Sequence, residues 1–191
     1  KINTNNNLTF ESNQFEYDKP TNILIANGNV IIKDLANDIL IETENVIYKK
    51  NEELIFINTR SKATGKNTVI KADRFTYNKK KNELYAGGNV IIDDFLKDIL
   101  IETEDLNYLI NKDIIFTNTR SKATGKNTVI NADKFKYNKS SNILSANGNA
   151  KIEDFLNKIT VTSNKIKFFK NEEKFNTKGN SKAYDNGLTI K

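Results

Sequence analysis

The sequence repeats itself with a fixed period, and this feature constrains the fold more than any other. Gly28-Asn-Val-Ile-Ile-Lys-Asp34 returns at residue 88 and, weakened, at residue 148, an offset of 60 residues each time. Between 28–70 and 88–130, 30 of 43 positions are identical, with no insertion or deletion. The chain therefore divides into three copies, which are 8–67, 68–127 and 128–187, and 188–191 begins a further unit. Such repeats are typical of chains that bury their apolar side only by stacking units.

Each copy divides again into two half-copies of about 30 residues. Their marker aromatics are spaced alternately by 31 and 29 residues; they are Tyr17, Tyr48, Tyr77, Tyr108, Tyr137 and Phe168. Within a half-copy the apolar residues recur with period 2, as in Ile39-Leu-Ile-Glu-Thr43, and polar turn clusters such as 49–53 separate the runs. This pattern predicts an all-β protein with about 12 to 14 short strands.

One spacing predicts a corner in every half-copy. An apolar residue is followed by a second one five positions later and by an aromatic two positions after that, as in Ile70, Phe75 and Tyr77. A gap of five breaks the alternation, so a bulge or bend near Asp73 is needed to keep all three side chains on one face. Glycines such as Gly28 also fit a bend, although Asn-Gly fits a type I′ hairpin turn as well. We predict the bend, because Gly87-Gly88 stands at the same place.

Corners in register predict two facing antiparallel sheets with an apolar seam between them. The side chains predicted to line this seam are aromatic or aliphatic; they are Phe15, Tyr17, Ile41, Val46, Tyr48, Phe56, Ile70, Phe75, Tyr77, Val90, Ile101, Leu106, Tyr108, Phe116, Ile130, Phe135 and Tyr137. The same residues fit either a lipid-binding groove or an ordinary core. The exposed-looking pairs Phe95-Leu96 and Phe155-Leu156 fit a groove mouth, a contact with a neighbour, or a loop tucked onto the sheet edge.

Composition excludes several kinds of chemistry. The chain has no Cys and no His, so thiolate, imidazole and nearly all zinc, copper and haem sites are absent, as is Ser-His-Asp catalysis. Acidic residues such as Asp93-Asp94, Glu102 and Glu104 fit charged positions alternating along an exposed strand face better than a glycosidase pair. The net charge of +6 comes from lysines interspersed with acids, which argues against nucleic acid. We therefore expect no catalytic residue, no metal and no cofactor.

The repeated motif resembles the OstA-like domain of the lipopolysaccharide-transport family. The family pattern is a strand, Ala-Asp, an apolar residue and Tyr, a polar turn, and then Leu, Ala and Gly-Asn-Val. Here it reads Ile70-Lys-Ala-Asp-Arg-Phe-Thr-Tyr77 followed by Leu84-Tyr-Ala-Gly-Gly-Asn-Val90, and it recurs over 130–149. The resemblance covers nearly the whole chain from about Leu8.

The resemblance implies an open β-jelly-roll, in which two antiparallel sheets form a V. It also implies a periplasmic element, associated with the outer membrane, whose seam holds lipopolysaccharide acyl chains without catalysis. Its expected partners are lipopolysaccharide and other OstA-like jelly-rolls, including copies of itself, joined by edge-strand pairing. The third copy departs from the pattern, since Ala150 replaces valine and Ser163-Asn164 replaces Ala-Asp.

The chain ends suggest a segment of a longer assembly. Residues 180–191 map onto 60–71, so Leu188 and Ile190 are expected to lie on a free strand-pairing edge. The first residue is not Met and no signal peptide is seen, so we expect a processed or trimmed start. Two alternatives remain open: a structural β-repeat of a surface filament or adhesin stalk, and a pectin-lyase-like β-helix enzyme. The enzyme would need shorter coils and an acidic–basic cleft that the sequence does not show.

Overall fold

The computed structural model describes residues 1–4 and 7–185 together with the backbone of 188–190, and these residues form an antiparallel all-β fold. Strands β1 to β20 are Ile2–Asn3, Leu8–Glu11, Gln14–Asp18, Ile23–Asp34, Ile39–Lys49, Leu54–Ile57, Ser61–Thr64, Thr68–Ala72, Arg74–Asn78, Glu83–Asp94, Ile99–Leu109, Ile114–Phe116, Ser121–Thr124, Thr128–Ala132, Lys134–Asn138, Ile143–Asp154, Ile159–Phe169, Lys174–Lys178, Lys182–Asp185 and Leu188–Ile190. Two single-turn 3₁₀ helices are Ile110–Lys112 and Lys170–Glu172.

Six long strands, β4, β5, β10, β11, β16 and β17, bend in the middle, and each contributes to two rows of strands. Wall 1 consists of β1, β2, β7, β8, β13, β14, β19 and β20 with segments 30–34, 39–43, 90–94, 99–103, 150–154 and 159–163. Wall 2 consists of β3, β6, β9, β12, β15 and β18 with segments 23–27, 45–49, 83–87, 105–109, 143–147 and 165–169. The walls face each other, since the rings of Phe10 on wall 1 and Tyr48 on wall 2 lie 5.0 Å apart.

The predicted bend is confirmed at the glycines. The register between β10 and β11 shifts between Gly87 and Val90, and Gly88 has a φ of +76° inside one continuous strand. The amide of Asp73 donates to the Gly88 carbonyl at 3.0 Å, at the point where β8 ends and β9 begins. Equivalent register shifts follow Asn27 and Asn147, so these Asn-Gly pairs form corners and not hairpin turns.

The strand number differs from the sequence-based expectation of 12 to 14. The described residues form twenty strands, because the corner often ends one strand and starts another on the second wall. Wall 1 contains eight whole strands and six halves of bent strands, which makes fourteen neighbouring segments. At about 4.8 Å between neighbours, the stack is about 60 Å long. The long strands join the walls at the corners, which we call the narrow end of the seam, and the opposite end, at the turns between neighbouring strands, we call the wide end.

Candidate functional site

The seam between the walls is one continuous hydrophobic cluster that runs from Leu8 to Phe168. Most side chains predicted to line it are indeed buried at 3% exposure or less; they are Ile41, Val46, Tyr48, Ile70, Phe75, Tyr77, Val90, Ile101, Leu106, Ile130, Phe135 and Tyr137. Phe15 and Tyr108 are partly buried against the same cluster. The gap-of-five pattern therefore places the side chains on one shared face, and that face is tightly packed along the chain.

Two of the predicted lining residues lie elsewhere, and a third faces inward but is exposed. Phe56 and Phe116 are half-exposed on the outer face of wall 2, because the alternation of β6 and β12 gives the inner face to Ile55 and Ile115. Tyr17 has the inward register, paired with the buried Leu24, but it is 44% exposed because β3 is the end strand of wall 2 among the described residues.

A buried polar cluster that the sequence analysis did not predict closes the wide end between the first and second copies. Asp34 at the end of β4 belongs to wall 1, and Lys79 follows β9 on wall 2; the Lys79 Nζ lies 2.6 Å from Asp34 Oδ1, with side chains 9% and 1% exposed. Tyr77 donates its hydroxyl proton to the same carboxylate, and Asn37 Nδ2 donates to it at 2.8 Å. We call this cluster, Asp34, Asn37, Tyr77 and Lys79, the first lock, since it joins the two walls.

The electrostatics of the first lock favour the charged carboxylate. Burial by itself would raise the pKa of Asp34, but the hydrogen bonds from Lys79, Tyr77 and Asn37 outweigh burial and hold this pKa below its usual value. Burial and the Asp34 carboxylate raise the pKa of Tyr77 well above its usual value. The tyrosine therefore remains a proton donor throughout the physiological pH range.

A looser version of the same cluster joins the second and third copies. Lys139 Nζ lies 3.9 Å from Asp94 Oδ2 and 3.7 Å from Asp113 Oδ1, and the Tyr137 hydroxyl lies 3.4 Å from Asp94 Oδ2. Lys139 also donates to the hydroxyl of Thr68 on wall 1. We call Asp94, Asp113, Tyr137 and Lys139 the second lock. Asp94 is thus buried, which corrects the expectation that it belongs to an exposed strand face; Asp93, Glu102 and Glu104 are exposed as expected.

Small hydroxyl side chains fill the narrow end of the seam. Ser61 donates to Thr43 Oγ1 at 2.7 Å, and Thr43 and Thr59 lie within hydrogen-bond distance at 3.1 Å. Ser121 makes the equivalent bond to Thr103 at 2.9 Å in the second copy. The apolar seam is therefore bounded by hydroxyl groups at the corner and by charged locks at the wide end.

Cavities open into the seam at three places in the described part of the chain. The first, about 240 Å³, lies at the wide end between the two locks and is lined by Ile39, Ile70, Leu84, Ile110 and other residues. The second, about 250 Å³, lies at the N-terminal end of the stack and is lined mainly by Ile2, Tyr17, Leu24 and Tyr48. The third, about 110 Å³, lies beside Lys170 and is lined by Ile152, Phe168, Phe175 and other residues.

The turn tips of wall 1 expose apolar side chains at the wide end. Phe95 and Leu96 are 57% and 62% exposed, and Phe155 and Leu156 are 62% and 68% exposed. The interpretation of these loops as tucked onto the sheet edge is therefore wrong.

Along residues 1–4 and 7–185, no three His, Cys, Asp or Glu side chains are grouped so as to hold a metal ion. No helix in the described part of the chain is long and apolar enough to span a bilayer. The free edge predicted at Leu188 and Ile190 is partly visible: the backbone of β20 pairs with β19 on wall 1, while these two side chains lie outside the described residues.

A search of curated proteins finds no match to the sequence. One solved structure with a likeness is that of LptH from Pseudomonas aeruginosa, described as the LptA homologous periplasmic component of the conserved lipopolysaccharide transport device. Identity is 10%, coverage is 74% of this chain and 82% of that chain, and the TM-score is 0.30, so this likeness carries no part of the family assignment.

The family assignment rests on a family model. The model described as "Lipopolysaccharide-assembly, LptC-related" matches residues 2–90 and 63–154, two overlapping stretches offset by about one 60-residue copy. Together they extend over well more than half of the sequence, in the same region as the OstA-like motifs. The chain therefore belongs to the LptC-related family of lipopolysaccharide-assembly proteins.

Proposed function

We propose that this chain is a non-enzymatic lipopolysaccharide-binding element of a periplasmic bridge to the outer membrane, and that acyl chains lie in the seam between the walls. The observation that carries the proposal is the continuity of the seam, since one apolar cluster extends through all three copies. Among the described residues, the buried charged side chains are Asp34, Lys79 and Asp94, and they lie at the wide end. Membership of a lipopolysaccharide-assembly family supplies the ligand class.

The seam is chemically suited to this role. Its depth is lined by aliphatic and aromatic side chains such as Ile70, Phe75 and Leu106, which solvate hydrocarbon and offer no nucleophile or acid–base pair. Lysines are frequent at the wide end, where the phosphates of an amphiphile would remain in water. We therefore assign the chain binding and no catalysis, with groove-lining roles for the inward residues from Phe15 to Tyr137.

A photo-crosslinking experiment tests the proposal. A photoreactive residue is placed at Phe75 or Phe135 on the inner face, and at Phe56 on the outer face of the same wall as a control. We expect lipopolysaccharide adducts at Phe75 and Phe135 and none at Phe56. Adducts to protein only, or equal lipid labelling at Phe56, would refute binding in the seam.

A structural β-repeat is the second candidate function, and one observation favours it. The core side chains between the locks are almost entirely buried, as in a stalk that packs shut. The two candidates differ in whether the purified chain carries lipid. If the protein is a lipid carrier, native mass spectrometry after gentle extraction should show the protein with a bound acylated lipid. If it is a stalk, the spectrum should show the mass of the protein alone.

We further propose that the described chain acts as one repetitive domain that joins other OstA-like domains, including copies of itself, through its end strands. The end strands of the described stack are β1 and β3 at one end and β18 and β20 at the other. Sedimentation velocity should show concentration-dependent, head-to-tail association. A strict monomer at high concentration would refute this part of the proposal.

A further inference from the structure

A lysine recurs at one position of the wide end, with a single exception. The residue two positions after each marker aromatic is Lys19, Lys50, Lys79, Ile110, Lys139 or Lys170. Each begins a turn of wall 2. From Lys50 onwards its amide also donates to a carbonyl in a neighbouring turn, as Ile110 does to Asn82 and Lys170 does to Asn142. Five half-copies thus place a flexible cation at a site where the sixth has a branched aliphatic side chain.

Three of these lysines reach across the seam to wall 1. Lys79 and Lys139 belong to the two locks, and Lys170 donates to the backbone carbonyls of Lys97 and Asp98. Their aliphatic stems cover the apolar edge of the seam while the ammonium groups bind oxygen atoms of the opposite wall. Lys19 and Lys50 are exposed near the N-terminal end of the stack.

Ile110 has no ammonium group and cannot bridge the two walls, and the cavity beside it is larger than the one beside Lys170. Lys170 and Ile110 occupy equivalent places in successive copies, 60 residues apart. The surroundings are also equivalent, because a Cβ built on Gly125 would lie 3.7 Å from the Asp98 carbonyl and one built on Gly65 would lie 3.9 Å from the Asp38 carbonyl. Only beside Gly125 is a lysine close by, with Lys170 Cε 4.0 Å from that Cβ. The cavity beside Lys170 has a volume of about 110 Å³, whereas the cavity beside Ile110 has a volume of about 240 Å³.

The larger cavity leads from solvent to the floor of the seam. Ile39, Ile70 and Leu84 belong to the apolar lining, while Lys66, Lys139 and Asp113 form part of the rim. Lys66 is exposed, and among the described residues it has no ion pair within 4 Å. An apolar floor beneath an unpaired cation fits one hydrocarbon chain that carries an anionic group. The volume is below the roughly 300–1,000 Å³ of a typical small-molecule site, so it admits a chain and not a whole glycolipid.

We propose that the opening at Ile110 is a lateral port, through which one acyl chain of an anionic amphiphile enters the seam between the first and second locks. The proposal rests on the proposed lipid-binding function and specifies where the ligand enters. Lys79, Lys139 and Lys170 hold the wide end closed at their own positions. The acyl chain therefore enters at Ile110, where no lysine bridges the two walls. The competing route is the cavity at the N-terminal end of the stack.

The test closes this port and opens another. Ile110→Lys copies Lys170 and should place its ammonium near the carbonyls of Asn37 and Asp38, while Asn111→Lys adds the same charge at an exposed neighbouring position. Uptake of cis-parinaric acid, a fluorescent fatty acid, is followed by stopped flow on the full chain. We expect Ile110→Lys to slow uptake about tenfold, which corresponds to 1.4 kcal/mol of added opening free energy, and Asn111→Lys to leave it unchanged.

Lys170→Ile is the reverse substitution, because it removes a bridging lysine instead of adding one. It keeps the test decisive if Ile110→Lys fails to fold. It removes the bridge to residues 97 and 98 and should enlarge the cavity beside it, so uptake should become faster than in the original chain. If the unsubstituted protein binds cis-parinaric acid and neither variant changes the uptake rate, the fatty acid enters from the end of the stack and the port is refuted. If the original chain binds neither cis-parinaric acid nor lipid A, the proposed function itself fails.

Discussion

Lys79→Met removes the cation of the first lock and leaves the Asp34 carboxylate buried. The methionine keeps most of the aliphatic stem, so the change is mainly electrostatic. At 2.6 Å and an effective dielectric constant near 20, the lost attraction is about 6 kcal/mol before the desolvation of the lysine is subtracted. Removing one partner of a buried pair typically costs about 3–5 kcal/mol. Asp34 retains hydrogen bonds from Tyr77 and Asn37, so we expect the lower end, about 3 kcal/mol.

The assay is thermal and chemical unfolding, with Lys80→Met as the matched control. Lys80 is exposed in the same turn, so its variant loses the same charge without touching the lock. For a chain of this length, about 3 kcal/mol lowers Tm by about 6–12 °C. The reasoning is refuted if Lys79→Met unfolds within about 0.5 kcal/mol of Lys80→Met, the usual range for surface substitutions.

The pH dependence gives an independent check on the same lock. The folded-state pKa of Asp34 is lowered, so its contribution to stability is present above the unfolded value of about 3.9 and is lost as pH falls through the folded value. The penalty of Lys79→Met should therefore shrink below about pH 4, where the variant's carboxyl is protonated. A penalty that stays constant from pH 7 to pH 3 would show that the lost interaction is not with a charged Asp34.

Three further predictions follow from the corner, the seam and the two locks. Gly88→Ala should cost about 2 kcal/mol in the unfolding free energy, because its φ is +76° and the new Cβ would lie 2.7 Å from Asp73 Oδ2; Gly65→Ala, with no contact closer than 3.9 Å, should cost nothing. Phe75→Ala should cost about 3–5 kcal/mol by opening a core cavity, measured against the outward Phe56→Ala, which should cost under 1 kcal/mol. Asp34→Asn should lower Tm more than Asp94→Asn, since the second lock has the longer contacts; equal losses in calorimetry would contradict this ranking.

Period and corner could be predicted from the sequence because each is set by local backbone geometry. Alternation places every second side chain on one face, and a fixed break of five residues requires a bend wherever it recurs. Gly88 alone did not decide between a bend and a turn, but the surrounding apolar pattern continued past it on both sides. The all-β class and the two facing sheets followed from these two facts, whereas the open β-jelly-roll was implied by the family resemblance.

Phe56 shows where the same reasoning fails. In Leu54-Ile-Phe-Ile57 every residue is apolar, so the period gives no preference for one face. The inner face goes to Ile55 and Ile57 because Ile55 pairs with Tyr48 and Tyr77, which already point inward. Side chains on neighbouring strands share a face, so the register between strands fixes the orientation and the segment's own composition does not.

The locks were missed although a signal was present. Asp34 is in phase with Val30 and Ile32, and Lys79 is in phase with Phe75 and Tyr77, so alternation places both charges on the inner face. The general rarity of buried charges favoured an exposed position for each, taken singly. The pair lies 45 residues apart in sequence, and only the facing of the walls brings it together.

The locks also bear on how a tightly packed seam could serve as a lipid carrier. Burying a twelve-carbon chain from water would yield about 10 kcal/mol at 0.8 kcal/mol per methylene, several times the roughly 3 kcal/mol assigned to one lock. An acyl chain drawn from a bilayer or from another apolar seam leaves one hydrocarbon environment for another. Most of the free energy gained on burial from water is therefore absent. On the proposed route at Ile110 an acyl chain passes between the locks, so Asp34 and Lys79 stay paired and continue to join the two walls. We infer that the transfer is then nearly neutral in free energy, which the proposed carrier role requires, because a ligand bound too tightly would not be passed on.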